Sequence, residues 1–119
     1  MITVIFKNII VNEEINLETA ESIYLEFSGH SGLNKKGNDI VCSAVSVLIH
    51  TFSKTVGKIL KIRQQIKRND GFFSTLIEMD GIPADDKHGL KLLVESLIIG
   101  LSEISKEYPE KIKIEFVND

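Results

Sequence analysis

Hydrophobic positions in this chain switch between a period of two and a period of about three and a half. Residues 2–10 are rich in β-branched and aromatic side chains, with Ile2, Val4 and Phe6 alternating, until Asn12-Glu13-Glu14 breaks the run. Ile23, Leu25 and Phe27 alternate with Tyr24, Glu26 and Ser28, which predicts a second half-buried strand. Ser28 to Asn38 is rich in Gly and polar residues and reads as a loop. Asp39 or Asn38 then caps a helix starting at about Ile40. On it Val41, Ala44, Val45, Leu48, Phe52, Val56 and Ile59 share one apolar face.

The second half repeats that order. Ile62 and Ile66 bracket Gln64, with Arg63, Gln65 and Lys67 facing the other way, and Asn69-Asp70-Gly71 is a tight hairpin signal. Phe73, Thr75, Ile77 and Met79 form the return strand, and Pro83 to His88 reads as a connection. Leu90, Leu93, Val94, Leu97, Ile98, Leu101 and Ile104 define a second amphipathic helix, which Tyr108-Pro109 ends. Ile112, Ile114 and Phe116 close the chain as a strand. The expected order is ββαββαβ in one domain over 1–119. The expected fold class is α+β, a mixed sheet of about five strands with two helices packed on one face.

Composition narrows the function classes. A chain of 119 residues with 43% hydrophobic and 26% charged residues has the make-up of an ordinary globular domain. No apolar run approaches the ~20 residues of a membrane span, and the first residues read as a strand rather than a signal peptide. A formal charge of −3 leaves no footprint for direct nucleic-acid contact and suits a basic partner. The single cysteine makes no internal disulfide, which fits a cytoplasmic location.

One stretch carries chemistry rather than architecture, from Gly29-His30 to Cys42. Cys42 falls in the first turn of the first helix, where unpaired backbone N–H groups and the helix dipole favour a thiolate. His30 directly follows a strand, so a base held by a strand end faces a nucleophile held by a helix end. Taken singly these features have plain structural explanations. A lone cysteine is more often a small buried hydrophobe, and Asp39 is most simply a helix cap. A metal site built from Cys42, His30, His50 and His88 lacks paired ligand spacing. His50, eight residues past Cys42, lies ~12 Å further along the helix. His50 and His88 read as solvated helix residues, and neither metal nor cofactor is expected.

Taken whole, Gly29-His30, Gly37 and Asp39-Ile40-Val41-Cys42-Ser43-Ala44-Val45-Ser46 resemble the signature of the Prp family, bacterial ribosomal-processing cysteine proteases. The resemblance extends over nearly the whole chain, through the Asp-Gly hairpin, the leucine-rich helix at 92–101 and the Glu107-Tyr108-Pro109 tail. It implies a catalytic pair of His30 and Cys42, with Asp39 and Ser46 as helpers. It also implies a loop over the site at about 29–38 that includes Gly29, Ser31, Gly32 and Gly37. The implied substrate is the N-terminal extension of large-subunit ribosomal protein number twenty-seven, and the implied assembly is a homodimer. Ser31, Leu33 and Asn34 depart from the family pattern at positions that shape the loop. Whether Asp39 orients His30 or only caps the helix stays open at this level. So does the alternative of a non-catalytic ribosome-associated binding module with the same fold.

Overall fold

The computed structural model describes residues 1–11, 14–29 and 39–118. Five strands form one sheet in the order β5-β6-β4-β1-β7. They are β1 (Ile2–Lys7), β4 (Ser22–Gly29), β5 (Gln65–Asn69), β6 (Phe72–Glu78) and β7 (Ile112–Val117). A separate two-stranded ribbon pairs β2 (Ile10–Val11) with β3 (Glu14–Ile15). All neighbours in the large sheet are antiparallel except β1 and β7, so the sheet is mixed. The first strand is shorter than its composition suggests: it stops at Lys7 because Asn8 turns the backbone to φ 64°.

Register puts one set of alternating side chains on a common face. Val4 stands opposite Phe27 and Ile114, and Phe27 stands opposite Phe73. Ile2, Val4, Phe6, Ile23, Leu25, Phe73 and Ile77 are almost wholly buried there. Helices α1 (Ile40–Lys58) and α2 (Ala84–Glu107) cover that face through Val41, Val45, Ile49 and Val56 on one and Leu90, Val94 and Leu101 on the other. Leu48 reaches Gly100 and Leu60 reaches Gly89, so the helices run antiparallel.

Three helical expectations are corrected. Residues 84–88 are the first turns of α2, not a connection, because Asp85 and Asp86 complement the positive end of the helix. Ile59 is the C-cap residue of α1 and 73% exposed, while Ile49 completes the buried stripe. A window of α1 also has a mean hydropathy of 1.4, long and apolar enough to span a membrane by length and composition. The sequence reading, that no apolar run approaches a span, is corrected for this helix. Its buried stripe is packed into the core, the role of a core helix.

The β5–β6 hairpin turns over Asp70-Gly71, with Gly71 at φ 70°. Here too the sequence pattern is corrected. Ile62 precedes the strand and is buried, whereas every residue of β5, Ile66 included, is exposed. β5 is the edge strand of the large sheet. Just before it, Gln64 ties α1 to β6. Its Oε1 accepts from Ser53 Oγ at 3.0 Å and Thr75 Oγ1 at 2.8 Å, and its Nε2 donates to the Ser53 carbonyl at 2.9 Å.

Candidate active site

The first turn of α1 is built around Asp39. Its side chain is buried, and its Oδ1 accepts the Cys42 amide at 2.9 Å while its carbonyl accepts the Ser43 amide at 2.9 Å. Asp39 is therefore an N-cap, which the Asp-Ile-Val-Cys spacing makes possible because an N-cap oxygen reaches the amide three residues on. This arrangement has an electrostatic consequence that the sequence pattern concealed. Burial first, and then the neighbouring Asp39 carboxylate, push the Cys42 thiol up rather than down. The cap that starts the helix also brings a negative charge against the dipole field expected to lower the thiol. With its amide held by Asp39, Cys42 is not an oxyanion donor in this state.

Cys42 is half-buried against the edge of the core and lines one end of an open groove of about 330 Å³. One wall is the flank of α1, where Ser46 and His50 follow at successive turns. The other is the hairpin, with Arg68, Asp70 and Phe72. His50 is not the solvated residue its position in the sequence suggests. Its ring stands edge-on to Phe73 at 4.8 Å and to Phe27 at 6.1 Å between centroids. Burial, followed by the charges of Arg68 and Lys54, lowers its pKa and so favours the uncharged ring. Arg68 lies 5.6 Å over the Phe73 ring. Neither His50 nor Arg68 was singled out for the site in sequence. The signal was present for His50, since 42, 46 and 50 share one helical flank.

Gly29 ends β4 at φ 96°, pairs with Ile2 and donates its amide to the Gly71 carbonyl at 2.9 Å. A Cβ there would collide with the Met1 carbonyl, so the position requires glycine. Gly29 thus fixes the chain at a point directly before residue 30 and against the hairpin that walls the groove. His30, Ser31, Gly32 and Gly37 lie outside the described residues. His88 is exposed in the first turns of α2, by the C-terminal half of α1 and away from Cys42. A hollow of about 400 Å³ at the far end of β5 is lined by Lys61, Arg63, Glu78 and Asp86 and holds no nucleophile. Among the described residues no three His, Cys, Asp or Glu side chains form a metal-binding group.

A profile of the cysteine protease Prp matches residues 1–113. The chain belongs to the Prp family of cysteine proteases. It is accordingly an enzyme of the cysteine protease class, and its fold agrees with that assignment. The chain is similar to the essential ribosomal processing protease Prp from S. aureus in complex with a covalently linked product peptide. That match has 23% identity and a TM-score of 0.73, over 98% of this chain and 99% of that one. The same S. aureus protease in complex with a substrate peptide gives 20% identity and a TM-score of 0.69 at the same coverage. SMU.848 from Streptococcus mutans gives 24% and 0.67, over 100% and 96%. At these identities the likeness shows a shared fold. No curated protein sequence matches the chain.

Proposed function

We propose that this protease removes the N-terminal extension of large-subunit ribosomal protein number twenty-seven by acyl transfer through Cys42, in support of ribosome assembly in the cytoplasm. One observation carries the reading: a cysteine protease needs a thiol nucleophile, and this sequence contains a single cysteine, set at the end of an open groove. The substrate rests on the family and on the S. aureus relative, a ribosomal processing protease studied with substrate and product peptides.

In the proposed mechanism His30 removes the Cys42 proton, the thiolate attacks the scissile carbonyl, and the protonated imidazole gives its proton to the leaving amine. Water then hydrolyses the thioester. Burial and Asp39 push the thiol up, so in this mechanism its activation falls to the base rather than to the helix terminus alone. Oxyanion stabilisation by the Cys42 amide requires Asp39 to release that hydrogen bond when substrate enters. Ser46, one turn on, lines the groove beside the reacting atoms.

The assembly belongs to the proposal as a homodimer. Val47, Leu92 and Ile99 are more than 60% exposed on the solvent sides of the two helices, whereas the open sheet face carries Lys7, Glu26, Lys67 and Lys113. The exposed apolar side chains of the two helices are the surface on which we place the dimer contact. Cys42→Ser tests the catalytic reading. The variant should lose cleavage of an extension peptide while keeping its thermal midpoint, since the replacement is nearly isosteric. Full cleavage by Cys42→Ser overturns it.

A further inference from the structure

The groove beside Cys42 has a polar wall that the catalytic pair does not use. β5 is the last strand of the sheet, and among the described residues nothing pairs with its outer side. Which of its backbone groups face outward follows from the register. The two-residue turn at Asp70-Gly71 makes Asn69 and Phe72 the hydrogen-bonded closing pair. Such pairs recur at every second residue of an antiparallel ladder. Lys67 and Gln65 therefore direct their N–H and C=O groups to β6, and Ile66 and Arg68 direct theirs to the open side. Cross-strand partners share a face. Arg68 is opposite Phe73 and Ile66 opposite Thr75, so both side chains lie on the helix-covered face, on the same side as Cys42 and His50.

We propose that the substrate binds as an added antiparallel or parallel strand on the free edge of β5, held by the backbone of Ile66 and Arg68. The inference rests on the protease reading above. The occupant is the extended polypeptide that Cys42 cuts, because the Arg68 end of β5 and the thiol line one continuous groove. An extended chain is what an unpaired edge recognises, since its own amides and carbonyls complete the ladder. Substrate side chains opposite Ile66 and Arg68 lie on the helix-covered face, toward the groove that Arg68 and His50 line, and alternate residues face outward beside Lys67. The Arg68 guanidinium has no ion-pair partner among the described residues and stands at the groove as a donor to a substrate carbonyl or carboxylate. The charge on Lys67 opposes indiscriminate pairing of this edge with other sheets.

Ile66→Pro is the test. It removes one outward N–H and leaves the β5–β6 ladder intact, as proline is tolerated on the open side of an edge strand. Ile66→Ala controls for the lost side chain. Affinity of an extension peptide is measured on each in a Cys42→Ser background, and kcat/KM with Cys42 in place. The alkylation rate of Cys42 by iodoacetamide and the urea midpoint report whether the site and fold survive. Ile66→Pro should weaken binding and lower kcat/KM by roughly five- to tenfold relative to Ile66→Ala, the size of one net hydrogen bond. Alkylation should stay within about twofold of the control. Arg68→Gln should raise KM more than it lowers kcat. Equal affinity and turnover in Ile66→Pro and Ile66→Ala overturn the strand-addition mode while the protease reading stands. A wild-type chain that neither binds nor cuts the peptide overturns the proposed substrate and this inference with it.

Discussion

Replacing Gln64 with alanine should separate the fold's wiring from its hydrophobic core. The side chain makes three hydrogen bonds, two of them with the buried hydroxyls of Ser53 and Thr75. Each is worth about 1 kcal/mol net, and a buried hydroxyl left without a partner costs about 1–3 kcal/mol. Ser53 recovers part of the loss by turning to the carbonyl one helical turn back. We therefore expect Gln64→Ala to cost about 2–3 kcal/mol. With a urea m-value of about 1.5 kcal/mol/M, the midpoint falls by roughly 1.3–2 M. Replacing the whole cluster tests the reasoning more sharply. The triple variant Gln64→Leu, Ser53→Ala, Thr75→Val leaves no orphaned polar atom and should recover most of the stability. Equilibrium urea unfolding followed by far-UV circular dichroism reads both. A loss below about 0.5 kcal/mol in Gln64→Ala, or a triple variant weaker than the single, refutes the energetics. Gln64 immediately precedes β5 and Ser53 sits three residues past His50. The same loss should therefore loosen both groove walls and raise KM for the peptide.

Asp39→Asn keeps the cap, because asparagine caps as well as aspartate, but removes the charge that raises the Cys42 thiol. Iodoacetamide labelling at neutral pH should speed up in that variant, whereas Asp39→Ala should cost about 0.5–2 kcal/mol in urea unfolding; unchanged labelling in Asp39→Asn removes the electrostatic account. Gly29→Ala combines a positive φ with a backbone collision and should cost about 2–4 kcal/mol by thermal unfolding; a near-neutral result contradicts the wedged geometry. His50 has a lowered pKa in the fold, so the unfolded chain takes up its proton first as pH falls. Its contribution is fully present above about pH 6.5 and is lost on descent from there toward the folded value. His50→Phe should flatten that part of the stability profile, and an identical slope in the variant would place the titration elsewhere.

Much of this fold was legible because strand and helix patterns were strong and local. The core of β4 at Ile23, Leu25 and Phe27 and the cap-to-cysteine spacing at 39–42 follow from short-range rules, as does the Asp70-Gly71 turn. Errors arose where tertiary position decides. Ile66 has a core side chain's chemistry, yet β5 lies at the sheet edge and leaves it exposed. Pro83 looked like part of a connection, although proline is as much at home at a helix start, and α2 begins directly after it. The site was half legible. Cys42 could be chosen from its helix position and sole occurrence, but the upward push on its thiol depends on burial and on the direction of one carboxylate. His50 and Arg68 were hidden because they meet only when α1 and the hairpin pack side by side.

Trapping the acyl-enzyme tests the central claim most directly. Wild-type protein is mixed with an extension peptide, quenched in acid within its first turnovers, and examined by intact and peptide-level mass spectrometry. The proposed chemistry predicts a mass increase equal to the N-terminal peptide fragment less one water from the peptide's hydrolysed form, localised to Cys42. His30→Ala should accumulate it far more slowly, since general-base help is worth about 10²–10⁴-fold, and Cys42→Ser should not form the thioester. An adduct on another residue, or undiminished cleavage by Cys42→Ser, would contradict the assignment of Cys42 as nucleophile.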